Sequence, residues 1–196
     1  MTALIALARA VAALNALLLS AGRILGAACM GIMVIVILVQ VFFRYVLGSA
    51  LAWPDETSRF LMLWLTGIMA PTAFRRGGFV AIGMVQSLMP RLMGQIVTLV
   101  LLVVSALVLW VGLQIGWAEV TGFSGRFATV SMSIPTSIDF STWMKVPRAW
   151  MMASLAVGAT MLFVVNLELI LRTLIAMAGG SERLPLIPEE HTLGAE

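Results

Sequence analysis

Cysteine and histidine are the scarcest chemically useful residues in this chain. Its 196 residues include one cysteine, Cys29, and one histidine, His191. A single cysteine excludes an intramolecular disulfide and a multi-cysteine metal site. The single histidine lies in a polar tail, so the chain lacks the residues for a histidine-containing metal cluster or a nucleophilic triad. We therefore expect no bound metal and no cofactor, and no catalysis that depends on a histidine-containing cluster or triad.

Charged residues are also few, and apolar residues take their place. Only 11% of the residues are charged and 61% are hydrophobic, whereas about 25% are charged in a soluble domain. This composition, with a mean hydropathy of +1.06, is that of a polytopic membrane protein. The net charge of +3 does not indicate a nucleic-acid partner, because the arginines lie at the ends of apolar segments and form no basic stripe.

Four apolar segments predict an all-α membrane protein with four transmembrane helices and additional interfacial amphipathic helices. The clearest segment runs from Glu56 to Phe74, and its length of about 19 residues matches one hydrocarbon thickness at about 1.5 Å per residue. Residues 24–178 form the predicted four-span membrane domain. The predicted spans are residues 24–46, 56–74, 92–117 and 148–171.

Less apolar segments flank these spans. Residues 1–23 form an Ala/Leu-rich helix with a narrow polar stripe, which predicts a helix lying in the membrane interface. A signal peptide is the alternative, since LGAAC ending at Cys29 resembles a lipoprotein cleavage site, but the apolar run continues past that cysteine. A second interfacial helix is predicted over residues 79–90. Residues 179–196 are short, acidic and proline-containing, which predicts a disordered tail.

The distribution of cations predicts the orientation. Arg75, Arg76 and Arg91 flank a loop that contains no acid, whereas the cations at the opposite ends of the spans are offset by acids such as Asp55. The more positive side of a membrane protein is cytoplasmic. We therefore expect both termini in the cytoplasm and residues 119–147 in the periplasm.

The start of span two combines a helix start signal with an intramembrane arginine. Pro54 suits a first helical turn, and Asp55 and Glu56 place negative charge at the positive end of the helix dipole. Arg59 follows at i+4 and i+3 from these acids, so it is either paired with them or simply reaches back to the interface. Arg44, at the end of span one, has the same two interpretations. We expect Arg59 to be held by Asp55 and Glu56.

Two further contacts are predicted from helical spacing. Trp64 lies too far along span two from Trp53 to belong to an interfacial aromatic belt, which favours packing against another helix. With Phe60 and Gly67 it forms one helix face, predicted to dock a partner or to pack within this chain's own bundle. Glu168 and Arg172, four residues apart near the end of span four, are expected to form an ion pair.

The central stretch resembles the small, Q-type membrane subunit of tripartite ATP-independent periplasmic (TRAP) transporters. That family shows an aromatic-Arg-Tyr end to its first helix, a Trp with acids and an Arg opening the second, and an Arg-Arg-Gly-like close. These features fall on Phe43, Arg44 and Tyr45, on Trp53, Asp55, Glu56 and Arg59, and on Arg75, Arg76 and Gly77. After the Arg-Gly, this chain has apolar residues where the family often has His and Asp.

The resemblance implies a function and a set of partners. It implies a small subunit of a secondary transporter in the bacterial inner membrane, which scaffolds a large M-type transport subunit and helps to dock a periplasmic substrate-binding protein. An ion gradient, with sodium as the expected ion, would drive symport of an organic acid or a similar small polar solute. The alternatives are a small subunit of a tripartite tricarboxylate transporter and a small membrane enzyme. Membrane lipids are expected partners and nucleic acid is not.

Overall fold

Four long helices and one β-hairpin make up the described part of the chain. The computed structural model describes residues 2–49, 51–76, 90–135 and 143–178. The helices are α1 (Thr2–Tyr45), α2 (Trp53–Arg75), α3 (Arg91–Thr121) and α4 (Ala149–Met177). A short 3-10 turn (Ser124–Arg126) and two strands, β1 (Ala128–Pro135) and β2 (Trp143–Pro147), connect α3 to α4. The predicted tail over residues 179–196 and the predicted interfacial helix over residues 79–90, apart from Pro90, lie outside the described residues.

Helix α1 is longer than the sequence pattern indicated. It runs unbroken for 44 residues, about 66 Å at the rise of an α-helix, so no break separates residues 1–23 from the predicted first span. The physical reason lies at Gly22 and Gly26, which resemble helix breakers in sequence but allow close packing here. A Cβ at Gly22 would lie 2.9 Å from Ile68 Cγ2, and one at Gly26 would lie 2.8 Å from Met69 Sδ.

One side of α1 forms a regular seam against the rest of the bundle. Over residues 5–26 its buried positions alternate steps of three and four residues, the seven-residue repeat that keeps one helix stripe against its neighbours. They are Ile5, Ala8, Ala12, Asn15, Leu19, Gly22 and Gly26. Ile5 and Ala8 pack with Ile175 at the end of α4. The main helix pairs are α1 with α2, α2 with α4, and α4 with α3.

A β-hairpin lies within residues 119–147, the segment that is predicted to lie in the periplasm. Strands β1 and β2 are antiparallel, with Ser133 opposite Lys145. Thr129 donates a hydrogen bond from its hydroxyl to the carbonyl of Val146 at 2.8 Å, and both side chains are almost fully buried. The prediction of an all-α fold is therefore corrected. The missed signal is the alternation of Val130, Met132 and Ile134 with Thr and Ser, which has the period of a strand.

Three helices are long and apolar enough to cross a membrane among the residues described. Their candidate spans are Leu4–Tyr45, Leu92–Thr121 and Ala149–Met177. Helix α2 falls outside this set because it is less apolar: its first turns carry Asp55, Glu56 and Arg59. The structure thus supports a mostly helical membrane protein, while a fourth span through α2 remains a prediction.

Candidate functional site

A buried carboxylate joins three of the helices. Glu168 of α4 is fully buried, and its two oxygens accept four hydrogen bonds. Arg75 of α2 donates two of them, from Nε to Oε2 at 2.9 Å and from Nη2 to Oε1 at 2.8 Å. Asn15 of α1 donates one to Oε2 at 2.7 Å, and Arg172 donates one to Oε1 at 2.9 Å. We call these four residues the Glu168 cluster.

The Glu168 cluster links distant parts of the sequence. Arg75 also donates from Nη2 to the carbonyl of Ala12 at 3.1 Å, so one guanidinium connects α1, α2 and α4. The predicted pair of Glu168 with Arg172 is confirmed. The contacts from Asn15 and Arg75 were not predicted, because both partners are far from Glu168 in sequence. Asn15, which lies apart from the polar stripe of residues 1–23, was the available signal, since a buried amide needs a partner.

A second carboxylate fixes the β-hairpin to α2. The two oxygens of Glu56 accept hydrogen bonds from the backbone N–H groups of Val130 at 3.1 Å, Ser131 at 2.6 Å and Met132 at 2.9 Å. The Ser131 hydroxyl adds a fourth, at 2.6 Å to Oε2. We call this contact the hairpin anchor. A carboxylate that accepts several backbone N–H groups holds them in one orientation, so the anchor sets the direction of β1 relative to α2.

The predicted pairing of Arg59 is not formed. Glu56 is engaged by the hairpin, and Asp55 accepts a hydrogen bond from Gln40 Nε2 of α1 at 2.8 Å. Arg59 is exposed and makes no ion pair within the described residues. Local spacing gave the wrong partner because both acids have long-range partners that the spacing rule does not consider. Asp55 instead ties the start of α2 to the last turns of α1.

The predicted docking face of span two lies inside this chain's own bundle. Trp64 donates a hydrogen bond from Nε1 to the carbonyl of Trp150, in the first turn of α4, at 3.1 Å. Phe60 packs beside it, with ring centroids 6.3 Å apart. A Cβ on Gly67 would lie 2.5 Å from the carbonyl oxygen of Ser154. The packing of Trp64 against another helix is confirmed. The contacts of Trp64 and Gly67 are made with α4, and docking of a partner on this face stays a prediction.

Helices α2 and α4 cross at two glycines. A Cβ on Gly158 would lie 2.8 Å from the Cα of Gly67, so a side chain at either position would strike the opposite backbone. Small residues at such a crossing let two membrane helices approach closely. The crossing lies between the Trp64 hydrogen bond and the Glu168 cluster. These three contacts fix α2 on α4 along its length.

A comparison with protein-family models shows the family to which this chain belongs. A family model described as the DctQ component of tripartite ATP-independent periplasmic transporters matches residues 33–176. The chain belongs to the DctQ family. The match includes the hairpin anchor, the helix crossing and three members of the Glu168 cluster, while Asn15 precedes it. A comparison with curated proteins finds no match.

Membership of the DctQ family confirms the resemblance seen in the sequence. A DctQ chain is a small membrane component of a TRAP transporter, which points away from an enzyme and fits the three apolar helices. Residues on which the resemblance rests lie at both ends of α2. Trp53 and the hairpin anchor lie at the start of α2, and Arg75 lies in the Glu168 cluster at its end.

The remaining sequence candidates of this DctQ chain lie at helix ends. Arg44 and Tyr45 close α1; the Arg44 guanidinium carbon is 6.0 Å from the centre of the Tyr45 ring, and the tyrosine is largely exposed. Trp53 opens α2 and is 41% exposed. Arg76 follows the last residue of α2 and lines an open groove against α1. The structure does not bring Arg44 or Tyr45 to the Glu168 cluster.

Proposed function

We propose that this chain is the scaffold subunit of its transporter. The observation that carries the proposal is the saturation of Glu168: its two oxygens accept four hydrogen bonds from three helices. Ionisable residues inside membrane proteins commonly mark ion or proton paths. A carboxylate fixed by two arginines and an amide is suited instead to holding helices together. The rigid α1, α2 and α4 unit would support a large M-type subunit that carries substrate and coupling ions.

The hairpin is the part of this chain that we propose helps to dock the periplasmic binding protein. It lies at the end of the bundle where α2 and α4 begin, and Glu56 fixes its backbone through Val130, Ser131 and Met132. A fixed backbone loses little conformational entropy on binding, which favours recognition of a soluble partner. The exposed side chains of Val130, Ser133 and Met144 would form part of the contact.

This role fits a protein of the bacterial inner membrane that has four spans and both termini in the cytoplasm. Support for α2 as the fourth span comes from its spacing: Trp53 and Arg75 are 22 residues apart, about 33 Å along a helix. Trp150 and Arg172 show the same interval on α4. Energy would come from an ion gradient, with sodium as the proposed ion and an organic acid or similar solute as substrate.

Expression with the large subunit tests the scaffold role. The large M-type subunit is expressed with and without this chain, and its abundance in membranes and its elution profile in detergent are measured. We expect the large subunit alone to be several-fold less abundant or to aggregate, and to recover when this chain is present. A large subunit that is equally abundant and monodisperse alone would show that no scaffold is needed.

A binding measurement tests the role of the hairpin. The assembled complex is placed in nanodiscs, and its affinity for the purified binding protein is measured with wild-type chain and with Glu56→Gln. We expect Glu56→Gln to weaken binding, because an amide side chain has only one oxygen for the four donors. Asp55→Asn, which changes the adjacent acid that contacts Gln40, is the matched control. Equal affinities for wild type and Glu56→Gln would place the docking surface elsewhere.

A further inference from the structure

A short turn with two exposed phenylalanine rings joins α3 to the β-hairpin. It consists of the 3-10 turn Ser124–Arg126 and the residues on either side of it, Phe123 and Phe127. Phe123 is 76% exposed and Phe127 is 51% exposed. Their ring centroids lie 5.1 Å apart, with the ring planes at 85° to each other. We call residues 123–127 the aromatic turn.

The backbone of the aromatic turn is fixed to both α3 and α4. The backbone N–H of Arg148, which precedes α4, donates a hydrogen bond to the carbonyl of Phe127 at 2.8 Å. A Cβ on Gly125 would lie 2.7 Å from the carbonyl oxygen of Val120 and 3.2 Å from the Cβ of Ala149. Glycine therefore lets the turn pack between the end of α3 and the start of α4. These contacts set the position of the two rings relative to both helices.

The packing of α3 on α4 gives the height of the aromatic turn along the bundle. Asn166 donates a hydrogen bond from Nδ2 to the carbonyl of Leu102 at 3.1 Å, and a Cβ on Gly116 would lie 3.0 Å from the Cα of Ala156. Later residues of α3 thus meet earlier residues of α4, so the end of α3 lies beside the start of α4. Both helices are long and apolar enough to cross a membrane. A turn at the level where two spans end lies at the membrane interface.

The charges around the aromatic turn favour an anionic surface. Arg126 and Arg148 are exposed, and neither forms an ion pair in the part of the chain that the structure describes. Glu119, in the last turn of α3, is the exposed acid closest to the turn in sequence, so the positive charges exceed the negative one. Apolar rings beside cationic side chains are typical of segments that lie in the membrane interface, where the rings reach the acyl boundary and the cations reach the phosphates.

We propose that the aromatic turn binds the membrane surface on the hairpin side of the protein. The rings of Phe123 and Phe127 enter between the phospholipids, and the guanidinium groups of Arg126 and Arg148 bind the phosphates of anionic headgroups. The first residue pair of the hairpin directly follows Phe127 and directly precedes Arg148. Bound lipid therefore holds the base of the hairpin at the membrane surface. This contact requires that α3 and α4 cross the membrane, and it does not depend on which side is cytoplasmic.

Spin labelling of the full chain in nanodiscs tests the insertion of the rings. Cys29 is replaced by Ser, and a nitroxide is attached to a single cysteine introduced by Phe123→Cys or Phe127→Cys, so that each variant keeps the other ring. Ser133→Cys on the hairpin and Leu107→Cys in the middle of α3 are the controls for water and for lipid, since both positions are exposed. Collision rates of the nitroxide are measured with oxygen, which concentrates in lipid, and with a water-soluble nickel chelate. We expect the oxygen-to-nickel ratio in the turn to be several-fold above that at Ser133→Cys and below that at Leu107→Cys.

The lipid composition tests the two cations. The ratio at Phe127→Cys is compared in nanodiscs of phosphatidylcholine with and without phosphatidylglycerol. We expect phosphatidylglycerol to raise the ratio, and each of Arg126→Gln and Arg148→Gln to remove a large part of that rise, because each cation adds attraction to an anionic surface. Arg44→Gln, which alters an exposed arginine at the end of α1, is the matched control and should keep the rise.

Three results would overturn the membrane contact. A ratio in the turn equal to that at Ser133→Cys would place the rings in water. Low collision rates with both oxygen and nickel would mean that protein covers the rings, and a dependence of those rates on the number of chains per nanodisc would assign the surface to a second copy of this chain. A loss of the rise in Arg44→Gln equal to that in Arg126→Gln would show attraction by the whole surface without a site. Circular dichroism checks that each variant is folded.

Discussion

Glu168 shows how one ionisable residue can hold a membrane bundle together. A carboxylate taken out of water loses several kcal/mol of hydration, which only well-aligned partners offset. Here the partners are Arg75, Arg172 and Asn15, all within 2.9 Å of a carboxylate oxygen. The cluster has one negative and two positive groups, so removing the negative charge takes a shared counter-ion away from two guanidinium groups. Its stability therefore depends on Glu168 more than on any one donor.

Replacing Glu168 by Gln tests this dependence. Glutamine keeps the size of the side chain but removes the charge and presents an amide N–H₂ to the arginines. We expect the free energy of unfolding in detergent to fall by about 3 kcal/mol, as for other broken buried ion pairs. Denaturant unfolding followed by circular dichroism measures it.

Glu119→Gln is the control for that measurement. Glu119 is exposed near the end of α3, so its replacement should change the unfolding free energy by no more than about 0.5 kcal/mol. Equal losses in the two variants would mean that the four hydrogen bonds of Glu168 contribute nothing beyond the general effect of charge removal.

At the scale of helices, the closest contact is the crossing of α2 and α4. Gly67 and Gly158 bring the two backbones together, and the groups that an added methyl would strike are backbone atoms that cannot rotate away. The same residue type on α3 has a different environment: a Cβ on Gly112 would meet nothing within 4 Å. Substitutions at Gly67 and Gly112 therefore separate the effect of packing from the intrinsic effect of glycine on helix stability.

Gly67→Ala and Gly112→Ala are expected to change stability in opposite directions. Gly67→Ala forces α2 and α4 apart and should cost about 1–3 kcal/mol. Gly112→Ala should be neutral or stabilising by up to about 1 kcal/mol, because alanine is the better helix former. Unfolding in detergent measures both. A Gly67→Ala variant as stable as Gly112→Ala would contradict the close crossing.

The hairpin anchor makes a prediction about local dynamics. Glu56→Gln should loosen β1, because the backbone N–H groups of Val130, Ser131 and Met132 lose a charged acceptor. We expect amide hydrogen exchange in residues 128–135 to become at least several-fold faster, with exchange in α4 unchanged. Asp55→Asn should leave the exchange of β1 as in wild type. Unchanged exchange in Glu56→Gln would show that the strand is held by β2 alone.

The sequence rules predict some contacts and miss others, depending on how far along the chain each rule reaches. Apolar length located the starts of α3 and α4 to within one residue, and the i to i+4 spacing found the pair of Glu168 with Arg172. The same spacing rule failed for Arg59, because its neighbouring acids are taken by Gln40 and by the hairpin.

Long-range contacts are beyond such local rules. Asn15 and Arg75 lie 153 and 93 residues from Glu168 in sequence, so only the fold brings them together. The hairpin was missed for another reason: the alternation of apolar and polar residues in β1 was present but was not recognised as the pattern of a strand. The length of α1 was missed because the narrow polar stripe of residues 1–23 was interpreted as a separate interfacial helix, whereas Gly22 and Gly26 fit against α2 within one continuous helix.

For the whole molecule, burial is distributed unequally among the three apolar helices. Within their most apolar windows, α4 is 39% buried, whereas α1 is 11% buried and α3 is 6% buried. Helix α4 is therefore the centre of the bundle, contacted by α2 on one side and α3 on another. Large apolar side chains on the outer faces of α1 and α3 are exposed. This arrangement fits a small component of a larger membrane assembly.

The number of spans decides how this molecule lies in its membrane, and cysteine labelling measures it. Cys29 is first replaced by Ser, and single cysteines are then placed at Leu4, Ser133 and Ala178, all at exposed or helix-end positions. If α1, α2, α3 and α4 all cross, an even number of crossings puts Leu4 and Ala178 on the same side and Ser133 on the other. We expect a membrane-impermeant maleimide added to intact spheroplasts to label Ser133→Cys only. If only one of the two variants Leu4→Cys and Ala178→Cys is labelled, the number of crossings is odd, so that α2 is not a span. Labelling of both, with Ser133→Cys protected, would keep four spans but reverse the orientation.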